Sequence, residues 1–424
     1  MFLAAGPEAS LSRTGCLFLV FPYQDNCPRK KSLPDPARPC AHRGALIDSA
    51  QPVRIAWASS FEWLENLGDV MRKTLLFLIA AAVALSGAIA WGQQGKGLDV
   101  YFIDVEGGQS TLFVTPSGQS LLVDTGWAGG RDADRIAGVA KQAGITQIDY
   151  LVTTHYHGDH VGGVVDLASR IPVKTFVDHG PSAEETLNVP QNYAAYLTVR
   201  DKGEHIVAKL GEHLPIKGAD FQIVSAAAET IAKPLPGAGS ANPLCADFKP
   251  RDETKEPLVG GENKQSVGMV ISLGKFRMVD FGDLTWNKEH DLACPNNLVG
   301  TIDVYVVSHH GQDISSLPML VQSMRPRVAV MDNGAKKGGA VATFETLKKS
   351  PGLEDLWQLH YAVDAADHNS PEQFVANLGV GGTAQTGVPN EGTVNYIKVT
   401  ARPDGSFNVT NSRNGNHKDY GPHK

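Results

Sequence analysis

Six consecutive residues, His155-Tyr156-His157-Gly158-Asp159-His160, hold three imidazoles and a carboxylate. Histidine and carboxylate are donors for zinc and for several other divalent ions. In extended backbone, residues two apart point the same way, so His155 and His157 can grip one ion. Gly158 lets the chain turn, which aims Asp159 and His160 at a second ion from the start of the next helix. A lone His-x-His on a surface carries little information, whereas the whole HxHxDH arrangement at a strand-to-helix junction points to a metal centre. Other candidates flank it: Asp124 in Val123-Asp124-Thr125-Gly126, His179 in Val177-Asp178-His179-Gly180, Asp283 after Phe281-Gly282, and the pair His309-His310 before Gly311. Neighbours at a strand end face opposite ways. One of His309 and His310 is therefore expected as a ligand, and the other beside the metal or against a leaving oxyanion.

In order and spacing these pieces resemble the metallo-β-lactamase superfamily, over residues 98 to about 359. The resemblance implies an α/β fold, a four-layer αβ/βα sandwich. It also implies two divalent metal ions, zinc before manganese or iron, with a water activated between them, and no other cofactor. Carried over residue by residue, His155, His157 and His179 would hold the first ion. Asp159, His160 and one of His309 and His310 would hold the second, and Asp283 would bridge the two. Asp124 resembles the family's aspartate that braces the metal-binding loop. Asp159, His310 and Asp124 are thus the expected catalytic residues.

The combination Glu262-Asn263-x-x-Ser266, Gly282-Asp283 and His309-His310-Gly311 looks more like the hydrolase domain of DNA-uptake competence proteins and the phosphorylcholine esterases than like true β-lactamases. No multi-span channel accompanies it, so a transport role is not expected. The reaction implied is hydrolysis of an ester or phosphodiester in a small-molecule or cell-envelope substrate. Lactone or β-lactam-like amide hydrolysis, a redox member carrying iron, and a non-catalytic binding protein are the alternatives. His205, His213, His290, His360 and His368 are read as ordinary.

The elements that must position these residues are legible as pattern. Strand character runs through 98–104, 111–115 and 119–124, with Pro116-Ser117-Gly118 as a turn. A helix is expected at 131–143, where Gly144 stands as a stop, then a strand at 148–153, which delivers the metal motif. A helix at 161–169, a strand at 173–177, a helix at 192–200 and strands at 205–210 and 221–225 follow. Residues 245–264 read as a long surface loop. A second hairpin spans 267–281, and strands at 302–308, 327–331 and 356–359, the last of these after a helix at 343–349, complete a hydrolase domain at 98–400. Residues 411–424 read as a flexible tail.

The chain has 424 residues, 42% hydrophobic and 20% charged, enough to bury a sizeable core. A formal charge of -7 leaves no electrostatic footprint of a nucleic-acid binder. Arg72 and Lys73 precede an apolar run at 75–90 that ends Ala88-Ile89-Ala90 and reads as a signal peptide at 71–90. The run is short for a membrane span, so no stable span is expected after cleavage. Residues 1–70 then read as a non-native or disordered extension, with translation expected to start at Met71. Export, to the periplasm or beyond, would let Cys245 and Cys294 pair as a disulfide. The mature protein is expected to begin near Trp91 and to lie outside the cytoplasm. Terminal sequencing of exported protein checks this, and a mature chain that still carries Met1 would contradict it.

Overall fold

Residues Ser120–Val123 and Val304–Val306 are buried at every position, as strands are when both faces of their sheet are covered. They belong to two sheets. The computed structural model describes residues 68, 71, 73–79, 97–186, 188–253, 261–379 and 394–423. The chain divides into units at 1–75 and 76–424. Residues 73–79 are helical. The rest of the expected signal peptide, its cleavage site and nearly all of residues 1–70 lie outside the described residues. No helix among the described residues is long and apolar enough to cross a membrane.

In the first sheet the strand order is His417–Tyr420, Phe407–Asn411, Tyr396–Ala401, Leu98–Ile103, Thr111–Val114, Ser120–Val123, Ile148–Val152, Val173–Asp178 and Glu204–Val207. The last four of these run parallel. The second sheet runs Val375–Asn377, Asp355–His360, Val328–Met331, Val304–Val306, Phe276–Asp280, Gly268–Leu273, Asp220–Ala226 and Glu229–Thr230. There the first five are parallel.

The sheets face each other across one apolar layer in which Phe102, Phe113 and Val152 meet Phe221, Met269 and Met278. Each such ring or aliphatic chain contributes roughly 1.5–3 kcal/mol on burial. Helices Arg131–Gln142, Val164–Ala168 and Val189–Arg200 cover the outer face of the first sheet through Ile136, Leu167 and Tyr196. Helices Trp286–Ala293, Pro318–Met324 and Val341–Lys348 cover the second through Leu292, Leu320 and Phe344. This is the αβ/βα sandwich implied by the motifs. Parallel strands in α/β sheets present their carboxyl ends to one edge, where ligands gather. Asp124, His155, His179, Asp283 and His309 all follow such ends within a few residues.

Three expectations are corrected. The helix expected at 161–169 is two pieces, Gly158–Val161 and Val164–Ala168. The break lies at Gly162-Gly163, where a Cβ would stand 2.6 Å from the Ala128 nitrogen and 2.2 Å from the Thr125 carbonyl oxygen. Only glycine allows the metal loop to lie this close to residues 125–128. Second, the strand around 356–359 is not the last. Tyr396–Ala401 pairs antiparallel with Leu98–Ile103 and carries the sheet outward through Phe407–Asn411. Third, the flexible tail expected at 411–424 contains the edge strand His417–Tyr420, in which Tyr420 is 2% exposed and stacks on Phe407 with ring centroids 4.7 Å apart. The disulfide Cys245–Cys294 forms as expected and ties the long loop to the segment after Asp283. Part of that loop, 254–260, lies outside the described residues.

Candidate metal centre

The metal loop is held at both ends by one carboxylate. Asp124 leaves its strand with φ +59 and accepts from the Thr154 amide (2.8 Å), from Thr154 Oγ1 (2.6 Å) and from His160 Nδ1 (2.7 Å). The Thr154 proton is thereby used, so Thr154 Oγ1 accepts from His155 Nδ1 at 3.1 Å. Similarly, Ser315 Oγ donates to the Leu284 carbonyl and so accepts from His309 Nδ1 at 3.2 Å. His157 donates through Nε2 to Glu184 at 3.3 Å. In all four rings the outer nitrogen meets a hydrogen-bond acceptor, so the inner nitrogen is the one that a cation would take.

Those inner nitrogens converge on Asp283. His155 Nε2 lies 3.0 Å from His157 Nδ1 and 4.0 Å from Asp283 Oδ2. His160 Nε2 and His309 Nε2 each lie 3.2 Å from the same oxygen. His310 Nε2 stands 3.2 Å from His160 Nε2, 3.2 Å from Asp159 Oδ2 and 3.5 Å from Asp283 Oδ1. One donor atom from each of Asp159, His160, Asp283 and His310 falls within 4.8 Å of the others. Asp283 Oδ1 is buried and makes no hydrogen bond, as suits an oxygen reserved for a cation. The donor set is imidazole and carboxylate, the chemistry of zinc and related divalent ions.

Electrostatics agree. Burial pushes the His155 and His309 rings towards the neutral form that a ligand needs, His309 to about 4. Burial also opposes charge on His160, but Asp283, Asp159 and Asp124 outweigh it and raise that ring well above its usual range. Burial would raise Asp283, yet His160, His309 and His310 hold it well below the usual carboxylate range. The cluster is built around anions that draw positive charge.

Comparison with known proteins follows the same lines. Residues 104–244 match the family described as the metallo-beta-lactamase superfamily. That matched stretch, about a third of the chain, is where the similarity to the superfamily lies. Recombination protein 2 of Haemophilus influenzae is 26% identical over 235 residues, 55% of this chain and 24% of that protein. Hydroxyacylglutathione hydrolase of Yersinia enterocolitica is 33% identical over 93 residues, 21% of this chain and 30% of the relative. The chain thus spans less than a third of the length of these relatives. Among solved structures, the metallo-beta-lactamase fold protein YhfI from Bacillus subtilis covers 62% of this chain and 96% of its own, at 13% identity and a TM-score of 0.38.

The structure brings together His155, His157, Asp159, His160, Asp283, His309 and His310, but not His179. The His179 Nε2 atom lies 3.0 Å from Glu262, and its ring packs on Tyr156. Glu262 also accepts from the Tyr156 and Ala183 amides. The expectation that His179 completes the first ion's ligands is therefore corrected: it anchors the carboxylate that supports the loop from behind. Its strand-end position suggested a ligand, but its ring nitrogen is already engaged.

The premise of strand alternation behind the division between His309 and His310 does not hold. Both have φ +55, so two successive left-handed residues replace strand alternation and turn both rings onto Asp283. Pattern reading missed Glu184, Glu262 as a brace, Asp332 at 3.6 Å from His310 Nδ1, and Lys337, which donates to Asp159. None of these carries a local signal, because each acts across the fold. His360 stays away from the site, paired with Asp104 at 2.6 Å in a network with Glu106 and Arg135. We expect His179→Ala to keep the metal content of the parent protein and His310→Ala to lose an ion, read by elemental analysis of purified protein. Equal metal loss in both variants would contradict this assignment.

Proposed function

We propose that this chain is a metallo-beta-lactamase superfamily hydrolase that uses two divalent ions, zinc first, to cleave ester or phosphodiester bonds. The observation that carries the reading is the set of ring nitrogens around Asp283, with His155, His160 and His309 facing its Oδ2, His310 facing its Oδ1, His157 beside His155 and Asp159 beside His310. Two such ions lower the pKa of a water and polarise the scissile carbonyl or phosphoryl oxygen. Asp283, with its two oxygens facing different histidines, is the group that would span both ions. Asp124 acts through His160 and Thr154 and is a positioning residue. His310 reaches both carboxylates, which is the geometry of a ligand.

A cavity of about 430 Å³ opens above Asp159, Asp283 and His309, with Trp127, Asn192, Gln312 and Lys337 in its wall. Pockets of this volume take compact ligands, with polar groups setting orientation. The substrate proposed is accordingly a small molecule or a cell-envelope ester. A periplasmic or secreted location is proposed with it; the disulfide Cys245–Cys294 supports an oxidising compartment.

The test is a panel of phosphodiesters, carboxylic esters, lactones and β-lactams offered to zinc-loaded protein. Asp283→Ala should lower activity by several powers of ten. Asp124→Asn should lower it about 10–100-fold, as expected for loss of a supporting hydrogen bond. Full activity in Asp283→Ala would mean that the two-ion reading is wrong.

A further inference from the structure

Lys337 follows the strand Val328–Met331 and is pinned beside the metal centre by its own backbone. Its carbonyl accepts from the Gly334 amide at 2.8 Å, the Gly339 amide donates to His310 O at 3.0 Å, and the Ala340 amide donates to Gly311 O at 2.8 Å. Gly338, at φ +77, has no room for a side chain, because a Cβ there would stand 2.0 Å from His310 O. The loop is thus moulded onto the turn that carries His309 and His310. It places the Lys337 ammonium on Asp159 Oδ2, 2.7 Å from the Gly107 carbonyl oxygen and 5.1 Å from the Trp127 ring centroid.

That position has two consequences. Asp159 Oδ2 is the same oxygen that faces His160 and His310, so a lysine and a metal ion would compete for one carboxylate. The Lys337 side chain is also 30% exposed and is the lysine or arginine in the described wall of the cavity, whose remaining polar side chains are amides, carboxylates, imidazoles and the Trp127 indole. Divalent charge at the centre would repel the ammonium from Asp159, and the cavity is where it has space to go.

Resting on the two-ion reading above, we propose that Lys337 is a shared cation. It neutralises Asp159 while the second metal position is empty, and it holds an anionic group of the substrate in the cavity once an ion takes Asp159 over. The substrate class that follows is an ester bearing a carboxylate or phosphate charge next to the scissile bond.

The experiment compares the full-length protein with Lys337→Met and Lys337→Arg. Zinc titrated into metal-free protein by calorimetry should bind its second site about tenfold more tightly in Lys337→Met, which lacks the competitor, and near the parent value in Lys337→Arg. In metal-loaded protein, the ratio of kcat/KM for bis(para-nitrophenyl) phosphate, an anion, to that for para-nitrophenyl acetate, which is neutral, should fall about tenfold or more in Lys337→Met, as expected when a hydrogen bond to a charged group is lost. An unchanged second-site affinity, or an unchanged ratio, overturns the proposal. If the metal-loaded parent cleaves neither ester, the hydrolase reading fails on its own. Calorimetric binding of the same phosphodiester then decides the role of Lys337, with equal affinity in parent and Lys337→Met overturning it.

Discussion

The centre depends on three hydrogen bonds that the buried carboxylate of Asp124 accepts. By accepting from the Thr154 amide, the Thr154 hydroxyl and His160 Nδ1, it fixes the first and last residues of the metal loop against the end of the neighbouring parallel strand. It also fixes ring orientation twice, directly at His160 and through the threonine proton at His155. Burial raises the pKa of this carboxyl, against the pull of His160 and Thr154. A buried carboxylate stays charged only where donors replace water, and here every such donor belongs to the loop it organises.

The same logic extends outward. Glu184 and Glu262 are buried acids that accept from each other's neighbourhood: Glu262 N donates to Glu184, Glu184 takes His157 Nε2, and Glu262 takes His179 and the amides of Tyr156 and Ala183. His179 and Ala183 help to hold Glu262 below its usual range although burial would raise it. On the far sheet, Ser315 and Asp332 stand behind His309 and His310. Asp159 and Asp283, brought together from the two sheets, supply the negative charge that makes a cation necessary. Asp159 is held well below the usual range; burial opposes this, and Lys337 and His160 overcome it. The sandwich therefore matters to the chemistry as the device that presses two sheet edges together until their carboxylates share a few ångströms.

Much of this was legible before any coordinates. HxHxDH is contiguous, so its donors needed only a strand and a turn to face one way, and with Asp124, Asp283 and the His309-His310 pair in order it carried the family resemblance that implied the sandwich. What could not be read depends on contacts distant in sequence. His179 looks like a ligand until Glu262, 83 residues away, is seen on its nitrogen. The His309-His310 pair obeys alternation only if it lies in a strand, and left-handed backbone at both positions removes that premise. The strand Tyr396–Ala401 alternates in burial, but its partner, Leu98–Ile103, lies about 300 residues earlier in the chain. Lys337 belongs to a Lys-Lys-Gly-Gly loop that reads as a solvated turn until its contact with Asp159 is known.

The central claim is that the inward ring nitrogens exist to hold a pair of ions. It is tested most directly by elemental analysis of protein purified without added metal, followed by chelation and thermal unfolding. The account predicts about two divalent ions per chain, because both oxygens of Asp283 face ring nitrogens, and seven imidazole and carboxylate side chains gather there. It also predicts a lower Tm after chelation, restored by zinc, since an ion that binds only the folded centre stabilises it. A metal-free protein that takes up no zinc, or a Tm indifferent to chelator and zinc alike, would contradict it.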